Sequence, residues 1–333
     1  MDLHAFFERN APPLHTTQEL GACLQQMVDA RLDQLPLPGA GHTLERWQHL
    51  ACIAGQNLSL CKLYEGHTDA LATLHELGAE RSPQGSTWGL WAAEPPNARV
   101  YVQIVEGQAR LNGRKAWCSG AAVVSHGLLT ARDDKGEVQL VAVDLQQPGV
   151  GVATQGWEAV GMSATASVEV TFEHARGTCI GQPGDYLQRP GFWHGAIGIA
   201  ACWYGAASRL ADYLHHHCRQ RPDPHALAHL GAVNAALFSA HCVLAEAARQ
   251  IDAAPNADVQ LLARQARAHV EVCAAQVIEH VGRALGAGPY CKDSHFAHLS
   301  ADLPVYLRQS HAERDLEVLG SLVASLPDKA GPP

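Results

Sequence analysis

No run of lysine and arginine interrupts the 333-residue chain, and its formal net charge is −9. With a pI near 6.1, such a surface repels phosphate backbones and anionic headgroups, so neither a nucleic acid nor a membrane is an expected partner. Long apolar runs are missing too. The longest small-apolar stretch, GAIGIAACWYGAA at 195–207, is too short and too rich in Gly and Ala to span a bilayer. The opening MDLHAFFERN has neither a basic n-region nor an apolar h-region, so no secretory signal is expected. Ten cysteines are present without a single CxxC pair, and several sit among Ala and Leu in helix-like segments. That usage points to free thiols in a reduced, cytoplasmic compartment.

Familiar catalytic signatures are also missing. There is no GxxxxGK[ST], no HExxH (His75-Glu76 lacks the second His) and no GxSxG. GRALGAGPY (282–290) has close glycines, but it ends a helical pattern instead of joining a strand to a helix, which reads as a C-cap and turn. The HHHC run at 215–218 would point its side chains in different directions on a helix. No metal site is expected.

What is present falls into three blocks. Residues 17 to about 80 repeat apolar positions at three and four, with a Pro-Gly loop at LPLPGAGH and a stop at Gly78. From about 88 to 178 the chain is Val-rich, alternating and punctuated by turn residues, including Asn112-Gly113. From 191 onward four Ala/Leu-rich helices are expected, at 192–218, 224–252, 256–286 and 296–326. The fold class expected is therefore multidomain α+β. An N-terminal helical domain (1–86) is followed by a central antiparallel β-barrel or sandwich (87–182), then by a C-terminal four-helix bundle (183–333).

Within the β block, LNGRKAWCSG (111–120) places Trp117 two residues before a hydroxyl, Ser119. Trp117 could pack beneath a helical domain. It could equally be a stacking wall for a planar cofactor, with the Ser119 hydroxyl or amide reaching the polar edge of the ring.

The block order and four local segments resemble the acyl-CoA dehydrogenase family over about residues 45 to 320. Lys115-Ala116-Trp117-Cys118-Ser119 matches the family's Lys-x-Trp-Ile-Thr, with Ser for Thr. WAAEPP (91–96) resembles Ala-Leu-Thr-Glu-Pro, with Ala93 at the Thr and Glu94 at the Glu. AVGMSATASVEVTFEHA resembles the Leu-Gly-Met-Arg-x-Ser-x-Thr segment and the strand after it. ALGAGPYCKD, with Gly286 and Gly288, resembles the Gly-Gly-x-Gly-Tyr turn that reaches a neighbouring subunit's flavin. The resemblance implies FAD, a homo-oligomer (dimer or tetramer) and a small-molecule or carrier-bound acyl substrate. The cofactor residues it implies are Trp117, Ser119, Ala93, Glu94, Gly286 and Gly288, with Arg219 of CRQRPDP standing for the family's phosphate arginine.

The departures concern the catalytic base. The family's glutamate position falls on Ser310, and the first bundle helix, GFWHGAIGIAACWYG, has no carboxylate. A general base contributes roughly 10² to 10⁴-fold, on the order of 3–5 kcal/mol of barrier. In its place YLRQSHAERDLEVLG offers Arg308, His311, Glu313 and Asp315, with His311 and Asp315 spaced four apart so that a helix could let the carboxylate orient the imidazole. A surface helix carrying i,i+4 ion pairs would read the same way. The leading expectation is an FAD-dependent oxidoreductase acting on an acyl thioester without the usual Glu base, with Arg308, Ser310 and His311 as catalytic candidates. The alternatives are a flavin-dependent monooxygenase or oxidase on the same scaffold, and a flavin-poor relative serving as a binding or assembly subunit.

Overall fold

The structure, a computed structural model, describes residues 3–9, 14–80 and 82–327. The N-terminal block folds as α1 (Leu3–Arg9), α2 (Thr17–Asp29), α3 (Thr43–Gln56) and α4 (Leu58–Glu76). Its starts are written locally. Thr16 and Glu19 form a reciprocal capping box at α2, and the Asn57 side chain accepts the Leu60 amide at α4. Each such cap is worth about 1 kcal/mol.

The middle block holds β1 (Trp88–Trp91), β2 (Val100–Val105), β3 (Gln108–Cys118), β4 (His126–Arg132), β5 (Val138–Asp144), β6 (Val150–Val152) and β7 (Val168–Ile180). Strands β4, β2, β3, β7 and β5 run in that order, and β5 pairs back onto β4, which closes a five-stranded ring. β1 extends the ring beyond β4, and β6 pairs with β7. The expectation of a wholly antiparallel sheet needs correcting, because β1 and β2 both meet β4 in parallel. Asn112-Gly113 is not a turn either. It lies inside β3, at a bulge where the β3–β7 register shifts between Leu111 and Gly113, and the Asn112 side chain accepts the His174 amide. The hairpin turns instead at Glu106-Gly107.

The last block comprises α5 (Asp185–Gln188), α6 (Gly191–Gln220), α7 (Pro224–Ala253), α8 (Gln260–Leu285), α9 (Ala287–Lys292), α10 (Ser294–Leu307) and α11 (Glu313–Ala324). The single fourth helix expected at 296–326 is in fact two helices, broken at residues 308–312. α6 is the central helix, and its small residues let α3 cross closely: a Cβ on Gly205 would meet the Ala51 carbonyl oxygen at 2.1 Å. By length and composition α7 is apolar enough to cross a membrane. It packs against α6 and α8, and its outer face leaves Leu227 and Phe238 exposed, the latter 69 %.

One carboxylate ties the three blocks together. Asp302 on α10 accepts the Met162 amide (2.6 Å) from the β block and the Ser59 hydroxyl (3.1 Å) from α4. Burial pushes its carboxyl above the ordinary value.

Candidate active site

The three blocks enclose a cleft of about 1590 Å³, walled by the β1 end, the Trp117–Ser119 segment, α4, α6, α8 and the α10–α11 junction. Trp117 stands on its rim with 58 % of its surface exposed and φ of +62°. An aromatic L-residue in the left-handed region costs about 1–2 kcal/mol, which surrounding structure must offset. The β3–β7 register slips between Lys115 and Cys118. In a regular strand Lys115 and Trp117 would share a face, but the bulge sends Lys115 inward and Trp117 outward. The Lys115 ammonium is fully buried. It donates to the Thr130 carbonyl and hydroxyl, both at 2.7 Å, and burial brings its pKa down to about 8.

Around Trp117 the hydrogen bonds have a direction. The Thr165 hydroxyl donates its one proton to the Met162 carbonyl (2.8 Å). Ser167 must therefore donate to Thr165 (2.9 Å), and Ser119 to Ser167 (2.7 Å). The Ser119 oxygen is left as an acceptor. Its amide is not free, since it bonds the Trp117 carbonyl. Trp91 donates to the Ser119 carbonyl at 3.2 Å, and Trp157 stands edge-on to Trp117 with centroids 6.1 Å apart.

The facing arm carries the catalytic candidates. Arg308, Ser310 and His311 all line the cleft. Arg308 pairs with Glu271 (2.8 Å), and Arg264 pairs with Asp315 (3.1 Å). His311 is not on a helix face with Asp315; it precedes α11, and its backbone N–H donates to the Asp315 carboxylate at 2.9 Å. The ring lies 3.8 Å from that carboxylate, and the side chain is 67 % exposed. Burial pushes the Asp315 carboxyl up, but the His311 amide, the His311 ring and the two arginines outweigh it and hold it below the ordinary value. Ser310 accepts the Ala312 amide at 3.2 Å, and Ala312 has φ +47°.

The cleft thus brings together Trp117, Ser119, Ala93, Arg308, Ser310 and His311. Glu94 is turned away into a brace with Arg132 (2.7 Å), with Lys115 at 3.9 Å. Arg219, Gly286 and Gly288 are exposed on the bundle surface and do not line the cleft. Sequence reasoning missed the hydroxyls of Thr165 and Ser167, and the α4 face carrying Lys62, Glu65 and Asp69. The signal for that face was a row of charges at helical spacing on an otherwise apolar helix.

Residues 94–175 match the model of the acyl-CoA dehydrogenase middle domain. The resemblance to that superfamily holds, and the whole chain has an acyl-CoA dehydrogenase-like fold. It superimposes on a nitrososynthase from Micromonospora carbonacea var. africana with a TM-score of 0.80 and 17 % identity, covering 97 % of this chain and 95 % of that one. It superimposes on FMN-bound TdsC from Paenibacillus sp. A11-2 with a TM-score of 0.73 and 18 % identity, covering 94 % and 98 %. In sequence it is 26 % identical over 195 residues to a probable FMNH2-dependent monooxygenase, SfnC, of Pseudomonas putida. That match takes in 50 % of this chain and spans only about half (47 %) of the relative's length.

Proposed function

We propose that this protein is a monooxygenase that uses reduced flavin, with FMN in place of the FAD first expected, and that the cleft is its reaction site. The observation that carries the reading is Trp117: a large ring held outward at positive φ, next to an acceptor-poised hydroxyl, on a cleft whose far side has Ser310 where the acyl-CoA dehydrogenase glutamate would stand. A flavin ring fits these residues. Trp117 offers a stacking face, and the Ser119 oxygen can accept an N–H from the edge of the ring. Reduction adds N–H donors to a flavin, so an acceptor at Ser119 suits the reduced form. The names of the relatives support FMN over FAD.

The bound flavin would supply the two-electron reduction of dioxygen. The chain's own residues have narrower tasks. Trp117 and Trp157 form an apolar corner that excludes water from one edge of the ring site. Ser119, backed by Ser167 and Thr165, fixes the ring's orientation. His311 is placed to give or take a proton at the opposite wall, and Arg308 is held by Glu271. The exposed apolar face of α7 would be covered in a homo-oligomer. Its Leu227 and Phe238 are the groups to test for that association by replacement with charged residues.

The deciding experiment mixes the protein with chemically reduced FMN, then with reduced FAD, and follows oxygen uptake and flavin binding. Tighter binding of reduced than of oxidised FMN is expected. Ser119→Ala should weaken the reduced form by about tenfold, the worth of one hydrogen bond to a buried partner, and change the oxidised form little. No affinity for either flavin would sink the reading and favour a non-catalytic binding subunit.

A further inference from the structure

Five cations line the cleft, and four have a carboxylate within hydrogen-bonding distance: Lys62 with Glu65 (2.8 Å), Arg189 with Glu76 (2.6 Å), Arg264 with Asp315 (3.1 Å) and Arg308 with Glu271 (2.8 Å). The fifth is Arg267 on α8. One Nη1 proton goes to the Ala196 carbonyl (2.6 Å), and the guanidinium stacks over Trp203 at 4.8 Å. Asp315, Glu271 and Glu65 lie around Arg267 without touching it. Its other N–H groups have no protein acceptor among the described residues.

The carboxylates show the same pattern. Apart from the solvent-exposed Glu158 and Glu313, Asp69 on α4 is the carboxylate of the cleft that accepts no hydrogen bond among the described residues. Arg46 forms an ion pair with it at 3.6 Å, too long for a hydrogen bond, and donates to the Pro36 and Thr68 carbonyls. The two groups that keep unused hydrogen-bonding capacity flank consecutive residues of α6. Asp69 lies against Gly195, where a Cβ would come 2.8 Å from its Oδ2, and Arg267 holds the carbonyl of Ala196. Gly195 is what leaves room for the carboxylate.

We propose that Asp69 and Arg267 are the two poles of the substrate subsite, which takes a small zwitterion with its ammonium on Asp69 and its acid group on Arg267. The inference rests on the reading of this cleft as the reaction site. Burial raises the Asp69 carboxyl, reinforced by Glu65, and burial lowers the Arg267 guanidinium. Each group is therefore held against its charged form, and an opposite charge on a ligand would relieve both. A monopolar ligand would relieve one pole and leave the other unsatisfied, which is how such a site rejects it. The aromatic walls, including Trp193 beside Arg264, would take the apolar part between the poles.

The test is calorimetric titration of the full chain with the ω-amino acids from glycine to 6-aminohexanoate, beside the n-alkylamine and n-alkanoate of each length. One zwitterion is expected to bind about tenfold or more tighter than both of its monopolar analogues. Asp69→Asn should bring it down to the alkanoate's affinity, and Arg267→Gln to the alkylamine's. If either variant fails to fold, Gly195→Ala, which crowds Asp69 without removing its charge, and Arg267→Lys must still weaken the zwitterion selectively. Equal binding of a monopolar analogue, binding unchanged by the substitutions, or no binding by any zwitterion overturns the proposal. FMN titrated into the same samples separates the two readings. FMN binding without zwitterion binding defeats this proposal alone, and zwitterion binding without any flavin affinity defeats the monooxygenase reading alone.

Discussion

Trp117 and Ala312 face the same cleft, and both are non-glycine residues at positive φ, +62° and +47°. They are held by different means. Trp117 sits in a closed ring of strands: Gly120 donates to the Thr165 carbonyl at 2.8 Å, Trp91 to the Ser119 carbonyl at 3.2 Å, and Lys115 is anchored beneath. Ala312 joins α10 to α11, a helix without a single buried residue. The Ala312 junction is fastened by Arg264–Asp315 and Arg308–Glu271, both partly in solvent, and such pairs contribute about 0–1 kcal/mol each. One wall of the cleft is preorganised by a ladder and a buried ammonium. The other is an arm that a modest free energy can release.

The largest expected effect tests the rigid wall from beneath. Lys115 has a folded pKa of about 8 against an ordinary 10.5. Between those values the unfolded chain binds a proton that the native state has given up, so Lys115 makes stability rise with pH across this window. The gap corresponds to about 3 kcal/mol. Lys115→Met removes it, so the wild-type stability measured against Lys115→Met in urea should grow by up to that amount from pH 7.5 to 10.5. A constant difference would mean that the ammonium is not desolvated and that the rigid wall is not built on it.

Trp117 comes next. Trp117→Ala should weaken reduced-flavin binding by about 2 kcal/mol, roughly 30-fold, the scale of one aromatic stacking contact. The urea midpoint should barely move, because the ring is largely exposed. Trp117→Gly loses the same ring but also the Cβ that makes positive φ costly, so it should be about 1 kcal/mol more stable than Trp117→Ala. If the two variants unfold together, the left-handed backbone stores no strain and the wall is not held against its own preference.

How much of this was readable in one dimension differs between the walls. Lys115, Trp117 and Ser119 are a contiguous motif, so the aromatic face and its hydroxyl could be named before any fold was known. The bulge that turns them outward could not. Asn112-Gly113 is a strong local turn signal, and only the ladder with β7 shows that it is carried through a strand. The order of helical, β and helical blocks followed from periodicity alone. The break before α11 did not, because residues 308–312 contain neither Gly nor Pro. His311 and Asp315 meet through a backbone N–H, not along the helix face that their spacing suggested. The pairing of Asp69 with Arg267 gave no signal, since two charges 198 positions apart (267 less 69) acquire a joint meaning only when α4, α6 and α8 cross.

The smallest expected effect tests the arm. Asp315 accepts from Arg264 and from the His311 amide, and it is acidic at the start of α11, where the helix dipole favours it. Asp315→Ala should lower global stability by less than about 1 kcal/mol and speed amide exchange across residues 308–326 by up to about fivefold while leaving the strands around Trp117 unchanged. Because its folded pKa is depressed, the stabilisation by Asp315 is present above the ordinary carboxylate range and is lost as pH falls through the folded value. The wild-type protection factors in the arm, exchange rates taken relative to the intrinsic rate at each pH, should therefore fall on acidification and converge with those of the variant. Exchange that is already fast in the wild type, or insensitive to the substitution, would show that the ion pair does not hold the arm. His311 would then be delivered to the cleft by whatever covers α11 in the assembled protein, and the contrast between the two walls would be one of exposure, not of anchoring.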